Sequence, residues 1–123
     1  VTELAARRRT DLAQALRQPP WRDGRAGKIY RLPDDGWSRR VLGSFANLLA
    51  ERSAGEAIAV LRATASGEFT ASVRAPIGAP LAADRFCRRF GGDGRAGAAG
   101  IDRLPAAKLE AFAETFEQHD WGR

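Results

Sequence analysis

Residues 57–75 read AIAVLRATASGEFTASVRA, and this stretch decides the fold. The first part, residues 57–64, is an apolar run of strand length, the pattern of a buried strand. Ala65, Ser66 and Gly67 then form a turn. In residues 69–75 the pattern alternates, placing Phe69, Ala71 and Val73 on one side. Two such segments around a short turn predict a hairpin.

Upstream, residues 37–52 carry the clearest helical signal. Trp37, Val41, Phe45, Leu48 and Leu49 recur at spacings of three and four and form one apolar stripe. Gly43 and Ser44 inside it lower the propensity and suggest close approach of a neighbour. Residues 28–32 alternate weakly, as a short edge strand would, and Pro33, Asp34, Asp35 and Gly36 follow as a turn. Residues 18–27 are polar with two prolines and two glycines, which reads as a linker. Residues 2–17 read as a helix capped by Thr2, with Leu4, Leu12 and Leu16 on one side, stopped by Pro19 and Pro20.

Downstream, residues 76–80 make a rigid connection. A short helix follows over 81–90, with Phe86, Cys87 and Phe90 inward and Arg85, Arg88 and Arg89 on the other face. Gly91 is placed to end it in a left-handed conformation. Residues 98–104 read as a strand. Pro105 suits the first turn of a last helix, 105–119, whose apolar face is Leu109, Phe112, Ala113 and Phe116. The order predicts an α/β fold, a small mixed β-sheet with helices packed on it.

The chain has 123 residues, enough for one domain with its own core. No apolar run approaches a membrane span. Cys87 is the sole cysteine, which excludes an internal disulfide and points to a reducing, cytoplasmic setting with a packed thiol. Residues 1–31 hold eight basic residues against three acids, and the remainder holds twelve of each, so the whole net charge of +5 lies in the first quarter. Eighteen of the twenty basic residues are arginine. Arginine matches phosphate with two parallel hydrogen bonds; a compositional bias toward Ala, Gly and Arg explains the same excess without a ligand.

The absences narrow the chemistry. One histidine, His119, and one cysteine cannot supply a His/Cys metal cluster. His119-Asp120 is an isolated dipeptide at a helix end. Ser44 lacks the frame of a nucleophile elbow. Asp93 and Asp102 are the best-placed pair of carboxylates, with nothing to fix their separation. No complete active site is legible.

The most suggestive segment is GGDGRAGAAG at residues 91–100, five glycines in ten positions. Glycines let successive amides converge on an anion, and an arginine beside them strengthens the hold. Gly91, Gly92, Gly94 and Arg95 meet that description, with Arg88 and Arg89 as support from the preceding helix. Asp93 argues against it. The loop lacks the lysine of a Walker loop and follows a helix, unlike a dinucleotide fingerprint. The glycines by themselves favour a purely structural turn.

Residues 72–100, SVRAPIGAPLAADRFCRRFGGDGRAGAAG, resemble the DHHA1 domain, the C-terminal substrate-binding part of DHH-family phosphoesterases. The family hallmark is four glycines and a histidine, two variable residues, then Ala-Ala-Gly. Gly91, Gly92, Gly94, Ala98, Ala99 and Gly100 match in register. The strand with Val73 and Arg74, the helix with Phe86 and the helix with Phe45, Ala46 and Asn47 fall where the family has theirs. Asp93 replaces the third glycine and Arg95 the histidine. Arginine retains anion binding but not a proton-shuttling role.

The resemblance implies a phosphate grip made by the loop glycines, Arg95 and Arg74. It also implies a catalytic half bearing Asp-His-His and two manganese ions, which these residues do not contain, so no cofactor is expected within them. Val1 in place of methionine is read as a sign that the chain is a piece of something longer. Residues 1–36 are then expected to be the end of a preceding domain and its linker, and 37–123 the DHHA1-like domain. The expected parent is a metal-dependent phosphodiesterase or single-strand exonuclease of the RecJ and oligoribonuclease kind. The expected partners are its own catalytic domain and a single-stranded nucleic acid, short oligonucleotide or nucleotide. The alternative is an interaction or dimerisation module without a nucleotide ligand, and a third branch is the domain that ends alanyl-tRNA synthetases.

Overall fold

Strand Ala57–Ala63 is apolar on both sides because both of its sides are covered. In the computed structural model, which describes residues 3–78 and 82–122, Ala57, Ala59 and Leu61 enter one core and Ile58 and Val60 another. The chain runs α1 (Glu3–Leu16), β1 (Arg22–Asp23), β2 (Gly27–Leu32), α2 (Gly36–Arg52), β3 (Ala57–Ala63) and β4 (Glu68–Arg74). It continues α3 (Ala83–Arg88), β5 (Asp93–Gly94), β6 (Ala98–Pro105), a 3-10 turn over Ala106–Lys108 and α4 (Leu109–Gln118). The six strands form one sheet in the order β1-β2-β3-β4-β6-β5. Among the described residues only β2 and β3 are parallel, joined through α2 as a βαβ unit; every other pairing there is antiparallel.

One core lies under α2, where Val41, Phe45 and Leu49 meet Tyr30, Leu32, Ile58 and Val60. Phe45 stands edge-on to Tyr30, with ring centroids 5.5 Å apart. On this side α1 contributes Ala15, and Asp11 clamps Arg40 of α2 through two hydrogen bonds of 2.6 and 3.1 Å. The other core lies under α3 and α4, around Phe86, Phe112, Phe116 and Trp121.

Several expectations are corrected. Residues 18–27 are not a plain linker: the Trp21 amide donates to the Ile29 carbonyl (2.7 Å), the Gly24 amide to that of Gly27 (3.0 Å), and β1 pairs with β2. Nor is β2 an edge strand; it lies between β1 and β3, where its alternation looked weak because Ile29 faces one core while Tyr30 and Leu32 face the other. On both sides of residue 36 the chain shares one sheet and core, since β2 pairs with β3 and Ala15 packs with α2. Gly43 admits no close neighbour: a Cβ there would meet nothing within 4 Å. Pro105 closes β6 rather than opening the last helix, because its chain neighbour Leu104 is held opposite Phe69 in the sheet. The Thr2 cap and Leu81 lie outside the described residues.

The turn between β1 and β2 holds a carboxylate on its amides. Glu117 of α4 accepts from the amide of Arg25 (2.7 Å) and from that of Ala26 (3.3 Å). A small concavity of backbone donors thus exists in this protein, and its occupant is the protein's own side chain. We expect Glu117→Ala to lower stability by about 1–2 kcal/mol in urea unfolding, because it strips the acceptor from two amides, and Glu117→Gln to lose less. Equal stability of all three chains would show the contact to be idle.

Candidate functional site

The glycine segment is built mainly as a helix stop. Gly91 sits at φ +82°, its amide donates to the Arg88 carbonyl (3.2 Å), and the Gly92 amide donates to the Cys87 carbonyl (2.9 Å). That is a Schellman cap, in which the two amides satisfy carbonyls that the end of α3 leaves open. Gly92 and Gly94 also let the chain lie flat against β6. A Cβ at Gly92 would stand 2.2 Å from the Gly100 carbonyl oxygen, and one at Gly94 would stand 2.5 Å from the Ala99 Cα. The Arg95 amide donates to the Ala98 carbonyl at 2.8 Å. The expected convergence of loop amides on a guest is therefore corrected: those of Gly91, Gly92 and Arg95 serve the protein's own carbonyls.

Asp93 is held outward of the strand pair. The Gly94 amide and the Arg88 guanidinium hold its carboxyl below the usual carboxylate range. Arg88 is divided between Asp84 (2.9 Å) and Asp93 (3.2 Å), so it is not free to support an anion site. Arg89 is exposed beyond α3. Above the loop lies a hollow of about 380 Å³ lined by Gly91, Gly92, Asp93, Gly100 and Asp102. Its two charged side chains are the carboxylates that the sequence singled out, an unfavourable lining for phosphate. Among the described residues no group of three or more His, Cys, Asp or Glu is placed to hold a metal ion.

A half-buried guanidinium without a carboxylate partner stands at the far end of β4. Arg74 is half-buried at the last position of that strand. Its Nε donates to Asn47 Oδ1 (2.8 Å) and its Nη1 to the Val73 carbonyl (3.1 Å), both neutral acceptors. Burial and the adjacent charge of Arg95 push the Arg74 guanidinium below its ordinary pKa. No ion pair to Arg74 or Arg95 occurs among the described residues, whereas Arg22, Arg40, Arg88 and Arg103 each have a carboxylate. The loop that bears Arg95 is pinned beside Arg74 by the Ala75 amide, which donates to the Gly97 carbonyl at 3.0 Å. A hollow of about 270 Å³ opens there, lined by Asn47, Ala50 and Glu51 of α2 and by Arg74, Ala75 and Ile77.

The structure thus places the loop bearing Arg95 beside the end of β4 that carries Arg74, and adds Asn47 as a partner of Arg74. The resemblance places Asn47 only as a member of the opening helix, with no role; its partner lies 27 residues away, and no local pattern reports that contact. Cys87 is fully buried, and burial pushes its thiol up to about 12, so it is a packing residue. His119 ends α4, where its Nε2 donates to the Ala82 carbonyl (3.0 Å) and its ring meets that of Trp121 (centroids 4.7 Å apart). Asp120 accepts from the Gly122 amide at 2.9 Å. Both members of the His-Asp dipeptide serve the fold.

The architecture recurs in solved structures. The C-Ala domain of alanyl-tRNA synthetase from Aquifex aeolicus matches with a TM-score of 0.60 at 13% identity, over 81% of this chain and 96% of that one. An exopolyphosphatase-related protein from Bacteroides fragilis matches with a TM-score of 0.59 at 19% identity, over 96% of this chain and 34% of that one. The fold is DHHA1-like. A pGpG-specific phosphodiesterase, PggH, from Vibrio cholerae matches this chain with a TM-score of 0.57 at 7% identity, over 93% of it and 38% of PggH. The chain thus spans about a third of the length of the second and third of these proteins. At these identities the likeness is one of fold. No family model matches the sequence, and no curated protein matches it. Among the described residues no helix is long and apolar enough to cross a membrane.

Proposed function

We propose that this domain grips the phosphate of a nucleotide, or of the end of a single-stranded nucleic acid, on behalf of a phosphoesterase catalytic domain of the DHH kind, and performs no chemistry alone. The observation that supports this reading is Arg74, half-buried with only neutral acceptors, beside the loop that bears exposed Arg95; neither has a carboxylate partner among the described residues. Two neighbouring cations repel each other, and an anion between them relieves both that repulsion and the cost of half-burying Arg74. Side chains make this grip. Gly91, Gly92 and Gly94 give it shape by ending α3 and laying the loop against β6, and Arg89 adds to the local field. Two of the solved relatives carry the same fold within longer chains described as a phosphodiesterase and as exopolyphosphatase-related, which agrees with a phosphate ligand. The metal ions such chemistry uses would belong to the catalytic domain.

The test is a titration of the full chain with a short oligodeoxythymidylate at several salt concentrations. We expect binding that weakens with salt. Arg74→Ala and Arg95→Ala should each cost about tenfold in affinity and remove roughly 0.7 from the log–log salt slope. No binding at low salt, or two variants that bind as the parent does, would remove this reading.

The interaction-module reading has one observation in its favour. Ile77 is 52% exposed and lines the same hollow beside Ala50 and Ala75. A dimer whose population rises with concentration and ignores oligonucleotide would favour it.

A further inference from the structure

We infer that Asn47 sets the affinity of this anion site by giving half-buried Arg74 a neutral partner where Arg22, Arg40, Arg88 and Arg103 are given carboxylates. The inference rests on the reading just proposed and names a residue that tunes it.

Asn47 Oδ1 accepts from Arg74 Nε at 2.8 Å. The contact orients the guanidinium as a carboxylate would, but it leaves the full positive charge in place. The choice of acceptor is informative because acids are used elsewhere. Arg22 meets Glu110 at 2.9 Å, Arg40 meets Asp11 at 2.6 Å, Arg88 meets Asp84 at 2.9 Å and Arg103 meets Glu68 at 3.1 Å. An acid is also at hand: Glu51, one helical turn after Asn47, lines the same hollow, yet no ion pair joins it to Arg74. Of five N–H donors on the guanidinium, Asn47 and the Val73 carbonyl engage two, so donors remain for a guest. Aspartate has the size and shape of asparagine. At position 47 it would form the same hydrogen bond, cancel the charge of Arg74 and repel an incoming phosphate.

This makes an ordering that a structural role reverses. If Asn47 only steadies Arg74, aspartate does so better than asparagine, and alanine is the damaging change. If Asn47 preserves charge, aspartate is the damaging change and alanine the mild one. Asn47 is exposed, so both substitutions leave the core untouched.

The experiment titrates the full chain, N47D and N47A with a short oligodeoxythymidylate and with inorganic phosphate, and records thermal melting alongside. We expect N47D to bind about tenfold more weakly than the parent, with roughly 0.7 less salt slope and a melting temperature no lower. N47A should bind within about threefold of the parent, with the slope unchanged, since it keeps the charge and loses one neutral bond. N47D binding as well as the parent, or better than N47A, overturns the inference while Arg74→Ala can still sustain the proposed function. A parent chain that binds neither probe overturns both.

Discussion

Gly27→Ala should unfold this protein or come close to it. Gly27 opens β2, and its Cα is paired with that of Ala57 across the parallel strands. An added Cβ would stand 1.8 Å from the Ala57 carbonyl oxygen, 2.7 Å from its carbon and 2.8 Å from its nitrogen. The obstacle is backbone, so no side-chain rotation relieves it. Separating the strands would break the bond from the Ala57 amide to the Ala26 carbonyl (2.9 Å) and disturb both cores, since Ile29 lies in one and Tyr30 and Leu32 in the other. We expect a loss of at least about 3 kcal/mol, a large part of the roughly 5–15 kcal/mol that holds a domain of this kind together. Gly43→Ala is the matched control. Gly43 is exposed inside α2 with nothing within 4 Å of an added Cβ, so the same change should stabilise by up to about 1 kcal/mol through helix propensity. Denaturant unfolding of the two variants beside the parent decides it. A Gly27→Ala chain with an unchanged midpoint would mean that β2 does not pair with β3 in this register.

Phe86→Ala should be nearly as damaging. Phe86 is fully buried on α3, and its ring centroid lies 5.1 Å from that of Phe112, 5.4 Å from Trp121, 5.5 Å from Phe90 and from His119, and 5.9 Å from Phe116. Truncation removes the ring around which α3, α4 and the C-terminal residues meet, and the rigid aromatic neighbours cannot collapse into the space. The expected cost is about 3–5 kcal/mol, against about 1.5 kcal/mol or less for Phe86→Leu, which keeps most of the volume. The helix it anchors also carries the Schellman cap and the loop to Arg95. Any anion binding should therefore fall in Phe86→Ala at temperatures where part of the chain is unfolded, and recover on cooling. A loss below about 1 kcal/mol would show that α3 is held from elsewhere.

How far the site was legible follows from the range of its contacts. The Gly91 cap is local: a helix pattern that stops at glycine specifies its own ending, and φ +82° is what that glycine permits. The same residues also fit an anion nest on sequence grounds, because converging amides and capping amides draw on identical glycines. Only the position of the Cys87 and Arg88 carbonyls distinguishes them. The carboxylate held by converging amides occurs instead at residues 25 and 26, where sequence suggested a linker, and its carboxylate comes from residue 117. No one-dimensional pattern reports a partner about ninety residues away.

From sequence alone came the α/β class, the hairpin of residues 57–75, the apolar faces of α2 and α4, the inward Phe86 and Cys87, and the resemblance that carries Arg74 and Arg95. Each follows from periodicity, turn chemistry or a local motif. On α1, Ala15 is buried and the expected Leu16 is exposed. Tertiary structure alone decided that β2 runs inside the sheet, that residues 3–36 share its cores, that Arg88 is consumed by acids and that Asn47 partners Arg74. Those outcomes depend on which distant backbone or charge arrives within about 3 Å, the range over which a hydrogen bond or close ion pair acts.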